Sequence, residues 1–422
     1  MHGKFPSRSL HHNRPGRLLA CSVAGLLPLL ACGAPAAHWV GSWTTPQQIP
    51  EPRNALAPAQ LRNATLRQIV HLSIGGDVLR VRLSNAFGYR PFTVAAAHIA
   101  LAKSPAHAAI EPGSDRALLF AGSPTVTIPG GASYLSDPIS FDVAPGANLA
   151  VSLYIKEPPR PQTGHPGSRA TSYIVPGDRV SADDLPQAAT VEHWYALAEV
   201  DVEAPRNAAS VVCFGDSITD GHASTVNGNN RWSDDLARRL NAGLPGREIG
   251  VLNAGIGGNR LLNYGLGPDG LARFGRDVLG PQGVRYLIIL EGINDIGTFD
   301  PNGVKSPAAH HELEHELIAT LEQMIERSHA HGIRVYGGTI TPFVGSGYYH
   351  PHAISEADRE AVNAWIRKPG NFDAVIDFDK AVRDPADPHR ILPAYDSGDH
   401  LHPSPRGYQV MADAIPLKLF RR

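Results

Sequence analysis

From Ser210 onward the chain repeats one pattern, in which a short apolar run is followed by a stretch with helical spacing and then by another run. The runs are Ser210 to Phe214, Ile249 to Leu252, Tyr286 to Leu290, Val335 to Ile340 and Ala374 to Phe378. Continuous apolar runs of this length suit strands buried on both faces, as happens when helices cover both sides of a parallel sheet. Helical patterns fall between them, over Arg231 to Ala242, over Glu312 to Ala330 and after Ser355, where Ser355 and Asp358 have roughly capping-box spacing. The pattern predicts a three-layer α/β domain over residues 208–422. In open sheets of this kind, chemistry collects just past the carboxyl ends of the strands.

The preceding region, residues 38–204, has a different period. Leu79-Arg80-Val81-Arg82-Leu83 alternates, and Gly75-Gly76-Asp77 is a turn candidate between two strands in the segment Leu66 to Asn85. Leu149 to Ile155, Thr171 to Val175 and His193 to Val202 are also strand-like, and clusters such as Ile128-Pro129-Gly130-Gly131 break the chain between them. An all-β sandwich is predicted, joined to the α/β domain by the polar linker Glu203-Ala204-Pro205-Arg206-Asn207. Trp39, Trp43 and Trp194 would serve its core, with a sugar-stacking platform as the alternative. A chain of 422 residues has room for two such units. A net charge of −2 with no basic stripe gives no reason to expect a nucleic-acid partner.

Residues 1–37 read as an address. Arg8, Arg14 and Arg17 precede an apolar run from Leu18 to Ala31, and Ala34-Pro35-Ala36 offers small residues for cleavage. The run is broken by Pro28 and is shorter than the ~20 residues of a membrane span. Secretion or periplasmic export is the reading taken. Leu29-Leu30-Ala31-Cys32 also resembles a lipobox, so the alternative is a lipid anchor at Cys32. With Cys21 and Cys32 in this segment, Cys213 is the one cysteine of the mature chain, and its apolar run makes it a buried strand residue.

Four blocks stand at the predicted strand ends and near the C-terminus. Gly215-Asp216-Ser217-Ile218-Thr219-Asp220-Gly221 places a serine at the mouth of a helix, where it is equally a nucleophile or part of a helix cap. Asn253-Ala254-Gly255-Ile256-Gly257-Gly258-Asn259 either exposes a backbone N–H to a ligand or makes a bend. Glu291-Gly292-Ile293-Asn294-Asp295 offers an amide side chain to the same crevice or closes an Asx turn. Gly398-Asp399-His400-Leu401-His402-Pro403 either folds a carboxylate back on an imidazole or is a surface turn.

Together, in this order, the four blocks resemble the SGNH or GDSL hydrolase superfamily, specifically bacterial GDSL-type esterases with a β-rich N-terminal domain. The resemblance implies a flavodoxin-like sheet and a serine esterase acting through an acyl-enzyme, without cofactor or metal. It implies Ser217 as nucleophile, His402 as base, Asp399 as its orienting acid, and Ser217, Gly258 and Asn294 as oxyanion donors. His400 competes with His402 for the base, and the family spacing favours His402. The first block departs from the family's Gly-Asp-Ser-Leu only in Ile218. Acetyl esters on carbohydrate are the first substrate expectation and short-chain acyl or aryl esters the second, with Tyr264, Phe343, Tyr348, Tyr349 and Tyr395 as candidate border residues.

Other motifs compete. His311-Glu312-Leu313-Glu314-His315 fits HExxH, which would make the chain a zinc peptidase. At ~100° per residue, however, the buried stripe runs through Leu313, Leu317, Leu321 and Met324, and the two histidines lie roughly opposite it. Gly265 to Gly270 fits a dinucleotide fingerprint but follows no strand, and reads as a loop. A noncatalytic carbohydrate-binding protein is the remaining alternative, and the intact blocks count against it.

Overall fold

A computed structural model describes residues 37–421. Five strands, Ala209–Gly215, Ile249–Gly255, Val284–Leu290, Arg334–Gly338 and Ala374–Ile376, form one parallel sheet. Their spatial order is second, first, third, fourth, fifth. The order reverses at the first strand, which opens a crevice at its carboxyl end. Val211, Val212, Cys213 and Phe214 are fully buried, as strands covered on both faces require. Each of the larger side chains contributes about 1.5 to 3 kcal/mol by leaving water.

Helices Trp232–Gly243, Pro307–Ala330, Ala353–Arg367 and Pro405–Asp413 flank the sheet. Most bounds differ from the sequence reading by a few residues, and three of the differences have a clear local cause. The longest helix begins at Pro307 because Ser306 caps it, accepting from the Ala309 N–H. Ser355 and Asp358 form no capping box, since the helix already starts at Ala353, and Asp358 instead receives His310 Nδ1 at 2.6 Å. The last strand stops at Ile376, where Asp377 caps a short helix that takes up Phe378.

The β-rich region folds as two antiparallel sheets of five and seven strands around a common core, with a two-stranded ribbon of Gly164–His165 and Trp194–Tyr195 beside them. Ala64–His71 and Gly76–Ser84 lie in different sheets, so the turn at Gly75-Gly76-Asp77 crosses the sandwich rather than pairing its flanking strands. The run from His193 to Val202 is split by Ala196, whose φ of 53° breaks it into Trp194–Tyr195 and Leu197–Glu203. Trp43 and Trp194 are buried edge-to-face with centroids 5.0 Å apart, and Trp39 lies under the Arg80 guanidinium, so these rings form no sugar platform.

Ala37–Arg422 make one compact unit. Its two cores adjoin at Ala208, which packs with the sandwich, and Ala209, which packs with the parallel sheet. Strand Trp39–Thr44 runs along the Ile249–Gly255 edge so closely that a Cβ on Gly250 would lie 2.0 Å from the Gly41 carbonyl oxygen. Ser73 Oγ accepts from the Val251 N–H at 2.9 Å across the same contact. Cys213 is a free, buried thiol. The signal and lipobox readings, with Cys21 and Cys32, fall outside the described residues. No helix among the described residues is long and apolar enough to cross a membrane.

Candidate active site

The first parallel strand ends at Gly215, and the chain turns at once into the short helix Ser217–Asp220. Gly215 is obligatory, since a Cβ there would lie 2.2 Å from the Leu290 carbonyl oxygen. Asp216 caps the turn by accepting from the Ile218 N–H at 2.8 Å, which fixes the backbone around Ser217. Ser217 Oγ then stands 2.8 Å from His402 Nε2.

His402 arrives from a C-terminal loop that wraps its own acid. Asp399 Oδ2 lies 2.6 Å from His402 Nδ1, while Oδ1 accepts from the backbone N–H groups of Leu401 at 3.0 Å and His402 at 2.8 Å. Partial burial raises this carboxyl, but the His402 ring and those two N–H groups outweigh it and hold Asp399 well below the usual carboxylate range. Asp399 therefore stays ionised and engages His402 Nδ1, which leaves Nε2 as the ring nitrogen that faces the serine. His400 is turned away, its Nδ1 bound to Asp396 at 2.5 Å, and makes no contact with Ser217.

Two backbone donors and one amide converge on the same place. Gly258 has a φ of 72°, and a Cβ there would meet Leu266 at 2.6 Å, so only glycine fits. Among the described residues the N–H groups of Ser217 and Gly258 have no hydrogen-bond partner. Asn294 Nδ2 donates to the Asn259 carbonyl at 2.7 Å, and Asn294 Oδ1 accepts from the Tyr349 hydroxyl. A carbonyl only accepts, which fixes the amide's orientation and leaves the second Nδ2 hydrogen unused.

A buried arginine behind the crevice ties these loops together. Arg273 donates to the carbonyls of Gly215 at 2.9 Å and Ala254 at 2.7 Å, and to Asn259 Oδ1 at 2.8 Å. Its carboxylate neighbours are Asp277 at 3.1 Å and Glu291 at 3.6 Å. Burial, reinforced by Asp216 and Asp295 and opposed by Arg273, drives the Glu291 carboxyl far up. Burial also pushes Asp216 up to about 7 and Asp295 up to about 6, although Asp295 accepts from the N–H groups of Leu261 and Leu262. The sequence gives no local sign of Arg273, which sits in a helix with no motif.

The β-rich domain supplies one wall of the cleft, which no periodicity announced. The cleft is ≈ 420 Å³, with Gln48, Glu51, Arg53, Pro166, Gly167 and Arg169 on one side and Ser217, His222, Gly258, Asn294, Tyr348 and His402 on the other. An adjoining groove is lined by Ile49, Phe87, Tyr89 and Tyr264. Gln48 of the cleft precedes Ile49 of the groove in the chain, and Gly267 lies close to Gln48. Of the border aromatics expected from sequence, Tyr348 and Tyr349 line the cleft and Tyr264 the groove; Phe343 is in the core and Tyr395 packs against it.

The competing zinc motif is not assembled. His311 and His315 are exposed, His311 faces Glu314, and neither belongs to a group of three potential ligands among the described residues. The ligand-type atoms of His222, Asp399 and His402 do lie within 4.8 Å of one another. Both His402 nitrogens are already engaged there, and a guanidinium stands against His222. The Gly265 to Gly270 segment is a loop that ends where helix Gly270–Phe274 begins.

The profile of the GDSL-like Lipase/Acylhydrolase family matches residues 213–410, a span that contains Ser217, Gly258, Asn294, Asp399 and His402. No curated protein matches the sequence. Among solved structures, a lipolytic protein of the G-D-S-L family from Desulfitobacterium hafniense is 21% identical, with 49% of this chain and 97% of that one covered and a TM-score of 0.36. A lipase/acylhydrolase from Enterococcus faecalis is 25% identical over 50% of this chain and 94% of its own, at a TM-score of 0.35. A catalytic mutant of an acetylxylan esterase from Geobacillus stearothermophilus is 22% identical over 49% and 91%, also at 0.35.

Proposed function

We propose that the chain, whose residues 213–410 match the GDSL-like lipase/acylhydrolase profile, is a carboxylic ester hydrolase that works through Ser217 and an acyl-enzyme, on acetyl esters of carbohydrate. The observation that carries the mechanism is the continuous line from Ser217 Oγ to His402 Nε2 and from His402 Nδ1 to Asp399, at 2.8 and 2.6 Å.

The steps follow from those distances. His402 takes the Ser217 proton as Oγ bonds to the ester carbon, and Asp399 stabilises the imidazolium that results. The carbonyl oxygen becomes an oxyanion facing the free N–H groups of Ser217 and Gly258 and the unused amide hydrogen of Asn294. When the intermediate collapses, the bond to the alcohol oxygen breaks and His402 gives that oxygen its proton. Water then attacks the acyl-enzyme, passing a proton to His402, and the acid leaves as Ser217 regains its hydrogen.

The carbohydrate assignment rests on the border of the cleft. Tyr348 and Tyr264 are largely exposed, and Tyr89 in the adjoining groove is more so. A ring with a polar tip offers a flat apolar face and a hydrogen-bonding end, which suits a sugar. Short-chain acyl or aryl esters are the second reading. Residues 1–37 are proposed as an export signal, with secretion or periplasmic delivery as the destination and a lipid anchor at Cys32 as the alternative.

The test is a fluorophosphonate probe with Ser217→Ala as control, followed by acid release from acetylated glycans and p-nitrophenyl esters of increasing chain length. Labelling at Ser217, lost in the folded variant together with turnover, is expected. Undiminished turnover in Ser217→Ala, or inhibition by chelator, would reject the serine mechanism. Turnover of aryl esters with no release from glycans would reject the substrate assignment alone.

A further inference from the structure

Asp399 and Ser217 engage the two nitrogens of His402, and two other rings pack against the imidazole. The His222 ring lies 4.1 Å from it, centroid to centroid, at an interplanar angle of 41°, and Tyr348 meets it edge-on at 5.7 Å. His222 is itself fastened. Its carbonyl accepts from the Tyr408 hydroxyl at 2.6 Å, and its Nδ1 lies 2.7 Å from an Arg169 guanidinium nitrogen. A guanidinium can only donate, so Nδ1 is the acceptor and the ring proton sits on Nε2.

Arg169 belongs to the β-rich domain, and its loop is stapled to the segment that follows the nucleophile. The Arg169 carbonyl accepts from the Asn227 N–H at 2.8 Å, and Asn227 Oδ1 accepts from the Thr171 N–H at 2.8 Å. Arg231 donates to the Ser168 carbonyl. Arg169 has a φ of 48°, an uncommon conformation for a residue with a side chain, and its Nε is buried without a partner among the described residues.

We propose that Arg169, acting through His222, is a positioning residue for the catalytic base. The β-rich domain thereby keeps a neutral ring packed on His402, so that the imidazolium formed there during turnover has no second imidazolium stacked on it. The proposal rests on the reading of His402 as the base. A charged His222 would oppose the charge His402 must acquire in the transition state, and would favour rotation of His402 away from Ser217. The groups that face His222 are His402, Arg169, Asp399, Asp220 and Tyr408. Burial, His402 and Arg169 press it down to about 4, against the opposite pull of Asp399 and Asp220.

The experiment uses the full chain with an uncharged ester, p-nitrophenyl acetate, and reads kcat/KM against pH in Arg169→Met and Arg169→Lys. Arg169→Met should move the acid limb up by about one pH unit. Arg169→Lys should retain the wild-type limb. In a His222→Phe background the Arg169→Met change should move the limb much less, because the coupling runs through the missing ring. A limb that stays put while activity falls equally at every pH would reduce Arg169 to a structural role and overturn the proposal. An equal shift in both backgrounds would overturn the route through His222, and a raised KM confined to anionic esters would assign Arg169 to substrate binding instead. An NMR titration of His222 in the same proteins needs no turnover, and its signal should titrate higher in Arg169→Met. That readout stands even if fluorophosphonate labelling shows that Ser217 is not the nucleophile.

Discussion

His165 Nε2 stands 2.9 Å from Asp220 Oδ1, so a buried histidine of the β-rich domain pairs with an acid three residues beyond the serine of the cleft. The other His165 nitrogen, Nδ1, bonds the Pro46 carbonyl at 3.0 Å, and Arg231 donates to the Asp220 carbonyl at 2.8 Å. The turn that carries Ser217 is thus braced from outside its own domain. Asp220 also crowds the loop above it, and this crowding gives the first prediction.

A Cβ on Gly167 would lie 1.8 Å from Asp220 Oδ2. Gly167→Ala must therefore lift the β-domain loop or displace the acid, an overpacking that costs about 1 to 3 kcal/mol. The variant should remain folded, melt a few degrees lower and lose at least about tenfold in kcat/KM. Thermal melting and steady-state kinetics on one preparation check this. Wild-type kinetics with a lowered melting point would show that the loop supports stability and leaves the cleft unaffected.

Asn294 should act on rate. In the proposed mechanism its free amide hydrogen meets an oxygen that carries full charge only in the tetrahedral intermediate. Asn294→Ala is expected to lower kcat by roughly 10²- to 10³-fold with little change in KM, as in other oxyanion holes. Tyr349→Phe keeps the bond to the Asn259 carbonyl and removes only the hydroxyl that steadies Oδ1, so its loss should be smaller, about tenfold or less. If Asn294→Ala instead melts early with normal kcat in the folded fraction, the amide is a structural cap.

What was legible in the sequence is local chemistry. Gly215, Ser217, Gly258 and Asn294 lie within a few residues of apolar runs that name their strands, and Asp399 lies three residues before the imidazole it holds. The brace and the wall are different in kind. His165 reaches Asp220 across 55 residues and Arg169 reaches His222 across 53. Each is a single side chain in an irregular loop, and no period or motif marks which partner it will meet. Arg273 is hidden for another reason. A lone arginine in a helical stretch reads as solvated, and only the closure of three strand-end loops around it buries it. Ser355 with Asp358 shows the converse, a capping spacing overridden because His310 needed the acid inside the helix.

Asp399→Asn tests the orientation of the base. An amide in place of the carboxylate can donate to Nδ1, which would put the imidazole proton on Nε2 and leave nothing to accept from Ser217. By analogy with other triads, kcat should fall by about 10⁴-fold at neutral pH. The fold should survive, because the Oδ1 that accepts from Leu401 and His402 is retained. A loss of less than tenfold would mean that Asp399 does not set the tautomer.

Asp216 gives a prediction about stability and pH. Burial raises its carboxyl to about 7 from an ordinary 3.8; Asp295 and Asp220 add to the rise, while the Ile218 N–H and Arg273 oppose it. Between those two values the folded chain keeps a proton that the unfolded chain has released. The folded state then binds more protons, so stability must fall as pH rises from about 4 to about 7 and level off above that. Three units correspond to a ceiling of about 4 kcal/mol, shared with neighbouring carboxyls that titrate over the same range. Asp216→Asn keeps an oxygen to cap Ile218 and removes the titration. Its melting temperature should therefore decline less between pH 5 and pH 8 than that of the wild type, with the gap opening between pH 5 and 7. Parallel curves for the two proteins would mean that Asp216 is ionised throughout and that Arg273 outweighs its burial.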